Sequence, residues 1–540
     1  MRNTKKKRPL ELIASDFFDY LGRHLPQQCA SDEFYFLPRS EVAIQYTNSL
    51  DDLTPEKIQD YILYAQNLLG EIPQEEQDDL EGEIDRILLK QSIGSFVREF
   101  NDAEVWKNDP TLYVKISLLA TDRIISQSNG DPDQVKINLS SLFTQIPSFL
   151  SMAIKNLNSP SQISLKVALD LTQDAIHFYD RDIRAFIEEN MGEDKGLLSK
   201  NLKVLRAWKQ YKKGLLQLPF RDSFAVGYDG LEKIISISFS YPKSPEEILE
   251  IAQYSYQKIQ GNLHALASKI DSSKTWNLIV NKQLPVVSTQ QEVLKLYQEE
   301  VQALRRFFLS KDIINFPSGE EVTVLQTPFY LQSLRATASY AAPLTGNTKG
   351  NGVFYITPGK EDLELISSHY PYLSAHETYP GHHILDHIRI HHLNPIRRQI
   401  ESPLFYEGWA CYAEQLLDEL GYVQDPRRQL VQLQRQLWRC LRAILDVELQ
   451  TGKIRPSQAA KKIQTLGFSG KRAQRQVRRF CITPGYQLCY FMGAYEIIRL
   501  QEQFSSRLGL RVFHDTLLSG GEIPFHLVEK RMKKKLNEND

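Results

Sequence analysis

Six of the chain's 12 histidines fall between His376 and His392, in the run HETYPGHHILDHIRIHH. Glu377 directly follows His376, and His382 lies across a Pro-Gly insertion. A second acidic motif, FYEGWACYAEQL, places Glu407 25 residues beyond His382. Two imidazoles and a later glutamate can hold zinc with a position left for water, and a carboxylate beside a ligand can act as general base. In the common HExxH arrangement the histidines share a helix face, roughly 40° apart around the axis and about 6 Å along it. Here they are six apart, which on an unbroken helix turns them roughly 120° away from each other. The insertion supplies the remedy. Tyr379 precedes proline and is biased away from helical dihedrals, Pro380 has no amide hydrogen, and Gly381 accepts dihedrals that other residues avoid. The spacing therefore requires a break or bulge at residues 379–381. Given that break, His376, His382 and Glu407 are the expected ligands of one Zn²⁺ ion, and Glu377 is the expected base.

A rival pairing lies just downstream. Residues His383 to His387 read H-x-x-D-H, an inverted zinc motif with Asp386 where glutamate is usual. His387 and His391 also have a four-residue spacing. The bland alternative is a helix whose histidines are solvated or satisfied within the core, and for His387, His391 and His392 it is the preferred reading.

The elements that must position these groups are mostly helices. Residues 1–220 form an expected N-terminal helical region, with apolar residues at helical spacing and a start signal at Thr54, Pro55 and Glu56. Residues 221–540 form the expected metal-binding region, continuous with the first because no Gly/Ser- or Pro-rich linker divides them. Its character changes near 312, and EEVTVLQT and GVFYITP read as short strands of a small sheet at about 315–360, just upstream of the histidines. The strand GVFYITP could offer backbone groups to an extended peptide.

Composition narrows the function classes. Lys+Arg 65 against Asp+Glu 66 gives a net charge of −1, which argues against a general nucleic-acid binder. The basic runs Lys5, Lys6, Lys7, Arg8 and Lys533, Lys534, Lys535 read as solvated tails. No run of 18 apolar residues suggests a membrane span, and no apolar segment follows the basic start as in a signal peptide. Five cysteines without a CxxC pair fit reduced thiols in a cytoplasmic protein.

The motifs HETYPGHH and EGWACYAEQL, with RAILD at 442–446, TPGYQLCYFMG at 483–493 and LGLRVFHDTLLSGGEIPFHLVE at 508–529, resemble those of the domain-of-unknown-function-885 family. The resemblance covers roughly residues 220–540. It implies a mainly α protein, a large multi-helix body enclosing a deep cleft, gluzincin-like, with the small sheet beside the zinc-binding helix. It also implies zinc on His376, His382 and Glu407 with Glu377 as base. Leu385, Gln450 and Phe491 depart from the family pattern, where glutamine, histidine and lysine are usual.

Amide hydrolysis also needs an oxyanion donor, and Tyr490 and Tyr486 are the candidates. His383, Asp386, Arg442 and Gln487 are candidates for supporting the ligands or binding substrate, with an Arg442–Asp446 pair on one helix the preferred role for Arg442. The expected activity is zinc-dependent cleavage of oligopeptides. The alternatives are a catalytically silent protein that binds metal or a partner, and hydrolysis of a non-peptide amide or ester.

Overall fold

The periodicities of the sequence become helices whose ends carry local signals. Pro55–Glu71 starts on proline and buries Ile58, Tyr61, Ile62, Ala65 and Leu68. Pro245–Ile270 and Gln290–Lys311 each open with a capping box, Ser244 with Glu247 and Thr289 with Glu292. The computed structural model describes residues 8–74, 79–126, 131–192, 194–280, 287, 289–328, 331–332, 335, 337–343, 352–357 and 363–539. Lys5, Lys6 and Lys7, and the segments 344–351 and 358–362 within the expected sheet region, lie outside them. The fold is mainly helical with one small sheet.

Among the described residues one helix, Pro132–Asn156, has the length and composition to cross a membrane, although it holds no unbroken run of 18 apolar residues. Its buried residues, among them Val135, Leu139, Leu142, Phe143, Ile146 and Leu150, recur at helical spacing. That stripe packs on the helices Pro110–Ser126 and Lys195–Leu215, as the apolar face of an amphipathic helix does.

The sheet contains β1 (Val322–Gln326), β2 (Ala338–Ala341) and β3 (Gly352–Ile356) in the order β1-β3-β2. β3 runs parallel to β1 and antiparallel to β2. GVFYITP is therefore the central strand with both edges paired, and it cannot take up a peptide by strand addition. The outer edge nearest the histidine motif belongs to β2.

Five helices carry the site: α1 (Leu363–Glu377), α2 (His382–Ile390), α3 (Pro403–Glu419), α4 (Pro426–Gln450) and α5 (Tyr486–Leu508). α1 packs on β2 and α3, and α5 packs on α3 and α4. The α3–α5 crossing is a backbone contact. A Cβ on Gly408 would stand 2.5 Å from the Gly493 backbone, and one on Gly493 would stand 2.0 Å from the Leu404 carbonyl oxygen. Two glycines thus set the distance between Glu407 and the tyrosines of α5. The N-terminal helices are tied to this region through Arg397, whose Nε bonds Asp85 Oδ1 at 2.7 Å.

Candidate metal centre

The helix break lies where the spacing requires it. α1 ends at Glu377, the Tyr379–Pro380 peptide is cis, and α2 resumes at His382. Gly381 N–H donates to the Ala375 carbonyl at 2.9 Å, folding the chain back on α1. A Cβ on Gly381 would meet His376 O at 1.9 Å, so only glycine fits. Trp409, two residues after Glu407, donates its indole N–H to the Pro380 carbonyl at 2.8 Å. The EGW motif therefore supplies an acid, a close helix crossing and an anchor for the break.

His376, His382 and Glu407 come together, all buried, with one ligand atom of each within 4.8 Å of the others. Glu407 Oε2 stands 3.5 Å from His376 Nε2 and 3.6 Å from His382 Nε2. This oxygen has no hydrogen-bond partner, and leaving a buried carboxylate oxygen unpaired is costly. Ligands bonded to one tetrahedral zinc at 2.0–2.2 Å are separated by about 3.4 Å. The donor set and its spacing thus fit such an ion.

The other carboxylate oxygen, Glu407 Oε1, accepts from the Tyr486 hydroxyl at 2.7 Å. Burial disfavours the charge on Glu407, but the facing imidazoles hold its carboxyl well below the usual range. Burial likewise opposes charge on His376, yet the facing side chains of Cys411, Glu407 and Glu414 raise it well above an ordinary histidine. Each imidazole is fixed by a further contact. His376 Nδ1 lies 2.8 Å from Glu414 Oε1, close enough to pair although not aligned as a hydrogen bond. Glu414 is held by Arg435 at 2.6 Å and by Arg439. His382 stacks on Tyr406, centroids 3.9 Å apart, and the Tyr406 hydroxyl donates to Asp386 Oδ2 at 2.8 Å. Such outer contacts orient ligands and tune affinity. For a zinc ion held by this triad, Tyr486→Phe is expected to weaken the affinity about tenfold. Competition against a chromophoric chelator measures this, and unchanged affinity would remove Tyr486 from the centre's support.

Glu377 is buried beside the triad and lines a cavity of about 210 Å³. Its Oε2 accepts from Tyr340 N–H on the outer edge of β2 at 2.7 Å. Burial pushes its carboxyl up, against the pull of His376 and His382.

The remaining candidates divide. Tyr486 is committed to Glu407, which makes it a positioning group. Tyr490 lines the cavity, its ring parallel to that of His376 at 6.5 Å. His383 faces away from the triad, with Nδ1 3.2 Å from the Tyr340 hydroxyl and Nε2 3.1 Å from Glu320 Oε2. Asp386 is buried under Tyr406 and Arg389. His383 and Asp386 are thus already engaged, and among the described residues the H-x-x-D-H pairing acquires no third ligand. The Arg442–Asp446 pair is not formed. Arg442 instead bonds Gln487 Oε1 through Nη2 at 2.6 Å and lies over the Tyr490 ring at 3.5 Å. Asp446 accepts from the backbone N–H groups of Gly485, Gln487 and Leu488, and burial pushes its carboxyl up to about 7 against those bonds. The orphan amides at the start of α5 outcompete a neighbour on the same helix.

A family model described as "Bacterial protein of unknown function (DUF885)" matches residues 39–532. The chain belongs to this family. The DUF885 match includes most of the N-terminal helical region, further than motif resemblance reached. Two solved structures share the fold. A candidate lipoprotein of unknown function from Shewanella oneidensis has TM-score 0.77 and 17% identity, covering 97% of this chain and 100% of its own. A candidate lipoprotein from Colwellia psychrerythraea has TM-score 0.79 and 18% identity, covering 98% and 99%. A search of curated proteins finds no match.

Sequence reasoning missed several residues of this DUF885 site. Glu414 lies seven residues after Glu407 on α3, and two helical turns place both on one face. Glu320, which accepts from the Tyr379 hydroxyl and pairs with Arg305 at 2.8 Å, holds the break from outside the motif. Tyr35, from the N-terminal region, packs on Tyr486 at 5.0 Å; no local pattern marked it.

Proposed function

We propose that this protein is a zinc-dependent hydrolase, a metallopeptidase that cleaves oligopeptides in the cavity beside His376 and Glu377. The observation that carries the reading is the orphaned Glu407 Oε2 facing two imidazole Nε2 atoms, with a buried carboxylate, Glu377, next to them. Bound at His376, His382 and Glu407, zinc would polarise the scissile carbonyl and acidify a water. Glu377 takes a proton from that water and returns it to the leaving amine. The Tyr340 N–H holds Glu377 Oε2, leaving Oε1 for proton exchange. Tyr490 is the proposed hydroxyl donor to the carbonyl oxygen. The cavity between α1, α4 and α5 serves as the cleft of a gluzincin-like body.

Incubation with an oligopeptide mixture, read by mass spectrometry, tests the activity. Cleavage that stops on chelation and returns with zinc is the expected result. Cleavage of esters or small amides alone would replace the peptide substrate, and no turnover of any of these would leave a metal-binding protein. Chelation is also expected to lower Tm, because a ligand at 100 times its Kd stabilises the folded state by about 2.7 kcal/mol. A Tm indifferent to chelator and to added zinc would contradict binding at the triad.

A cytoplasmic location is proposed on the free, buried thiols of Cys29, Cys411, Cys440, Cys481 and Cys489. The description of the two structural neighbours as candidate lipoproteins points the other way for those proteins. Cell fractionation decides between the two.

A further inference from the structure

The cavity beside the metal triad is rich in arginine. Arg435, Arg439, Arg442, Arg472 and Arg479 all line it, while Glu377 is its one lining carboxylate among the described residues. Arg472 rests on the Phe468 ring, and the other four arginines separate into two pairs. Arg435 and Arg439 are spent on Glu414, which also faces His376. Arg442 and Arg479 form no ion pair among the described residues, although Arg479 feels the charges of Glu33 and Glu407 and Arg442 that of Asp446. Arg442 is nevertheless held rigidly: Gln487 Oε1 accepts from its Nε at 3.1 Å and its Nη2 at 2.6 Å, and its plane rests on the Tyr490 ring. Its Nη1 is left with no partner among the described residues. Arg479 reaches the same cavity from the helix Gly470–Ile482 and is exposed to it.

A guanidinium whose orientation is fixed by an amide and a ring is pre-organised for a planar anion. Its fork matches a carboxylate with two parallel N–H···O bonds. Cationic groups not tied up in ion pairs in a concave site also raise the local concentration of anions. The distances set the scale. Arg442 Cζ is 3.5 Å from the centre of the Tyr490 ring, which is itself 6.5 Å from that of His376. An extended peptide advances about 3.3–3.6 Å per residue, so the guanidinium is at most about three residues from His376.

We infer that Arg442 and Arg479 form a carboxylate subsite, so that the enzyme takes short peptides carrying a carboxylate within a few residues of the bond cut. The inference rests on the metallopeptidase reading for its register. It does not rest on it for the affinity of the subsite. The carboxylate has two possible sources, the peptide's C-terminus or an acidic side chain.

Calorimetry on the zinc-loaded Glu377→Gln protein tests the subsite without turnover. Three otherwise identical tripeptides are titrated: the free acid, its C-terminal amide, and an amide ending in glutamate. The free acid is expected to bind about tenfold or more tightly than the plain amide, the range for a charge-assisted contact. Recovery of affinity by the glutamate-ending amide would assign the carboxylate to a side chain; no recovery would assign it to the C-terminus. Both outcomes support the subsite. Arg442→Gln and Arg479→Gln are expected to erase most of the preference while leaving affinity for the plain amide within about threefold. Arg442→Lys, which keeps the charge and loses the fork, should retain an intermediate preference and guards against a folding defect. Equal affinity for all three peptides, or an undiminished preference in both glutamine variants, overturns the proposal. An arginine-dependent acid preference in a protein that cleaves none of the peptides would leave the subsite standing and sink only the peptidase reading. Cleavage of acid and amide at equal kcat/KM, with equal binding, would do the reverse.

Discussion

Glu377→Gln is expected to abolish peptide hydrolysis in a protein that still binds one equivalent of zinc. The substitution preserves the volume of the side chain, and the amide oxygen can still accept from Tyr340 N–H, which Glu377 Oε2 does at 2.7 Å. None of the three proposed ligands is touched. What disappears is the ability to accept and return a proton, and removing a general base costs about 10²–10⁴-fold in rate. Tyr490 contributes no replacement base, because burial raises its hydroxyl above the ordinary tyrosine value. The measurement pairs kcat on a fluorogenic peptide with zinc stoichiometry by elemental analysis. Undiminished kcat with full zinc would move the base elsewhere.

Gly381→Ala should be as damaging by a different route. The added methyl would lie 1.9 Å from His376 O and 2.3 Å from Ala375 O, both backbone atoms of the helix that carries a ligand. No side-chain rotation relieves that overlap, so the break must open and His382 must leave His376. Overpacking of this kind costs about 1–3 kcal/mol, and more where backbone must move. Zinc stoichiometry near zero is the expected result, with a Tm lower by about 2 °C, as about 2 kcal/mol produces in a chain of this size. Full zinc occupancy in Gly381→Ala would show that the turn does not set the distance between the histidines.

The sequence made the central site legible because its oddity was local. A six-residue His–His spacing with Tyr-Pro-Gly inside it leaves few backbone solutions, and the structure has α1 ending at Glu377 and α2 beginning at His382. Glu407 was legible through EGWA, but the purpose of that motif was not. Gly408 is there for the Gly493 backbone and Trp409 for the Pro380 carbonyl, and both partners are distant in sequence. Glu320 and Tyr35 reach the site from a loop and from the N-terminal region, where no periodicity announces them. Arg442 was misplaced for a related reason. A four-residue spacing favours pairing with Asp446 by a few tenths of a kcal/mol, whereas the amides at the start of α5 offer Asp446 three bonds. The strands were found, yet GVFYITP reads alike whether it is central or at an edge, and only the pairing with both β1 and β2 settles which.

The central claim is that His376, His382 and Glu407 bind one metal ion. Anomalous diffraction at the zinc absorption edge, from crystals of protein purified without chelator, tests it most directly. The account predicts a single strong peak bonded to His376 Nε2, His382 Nε2 and Glu407 Oε2, with Glu377 beside it and not bonded to it. No peak at that position after zinc soaking, or a peak held instead by His383, Asp386 or His387, would contradict it.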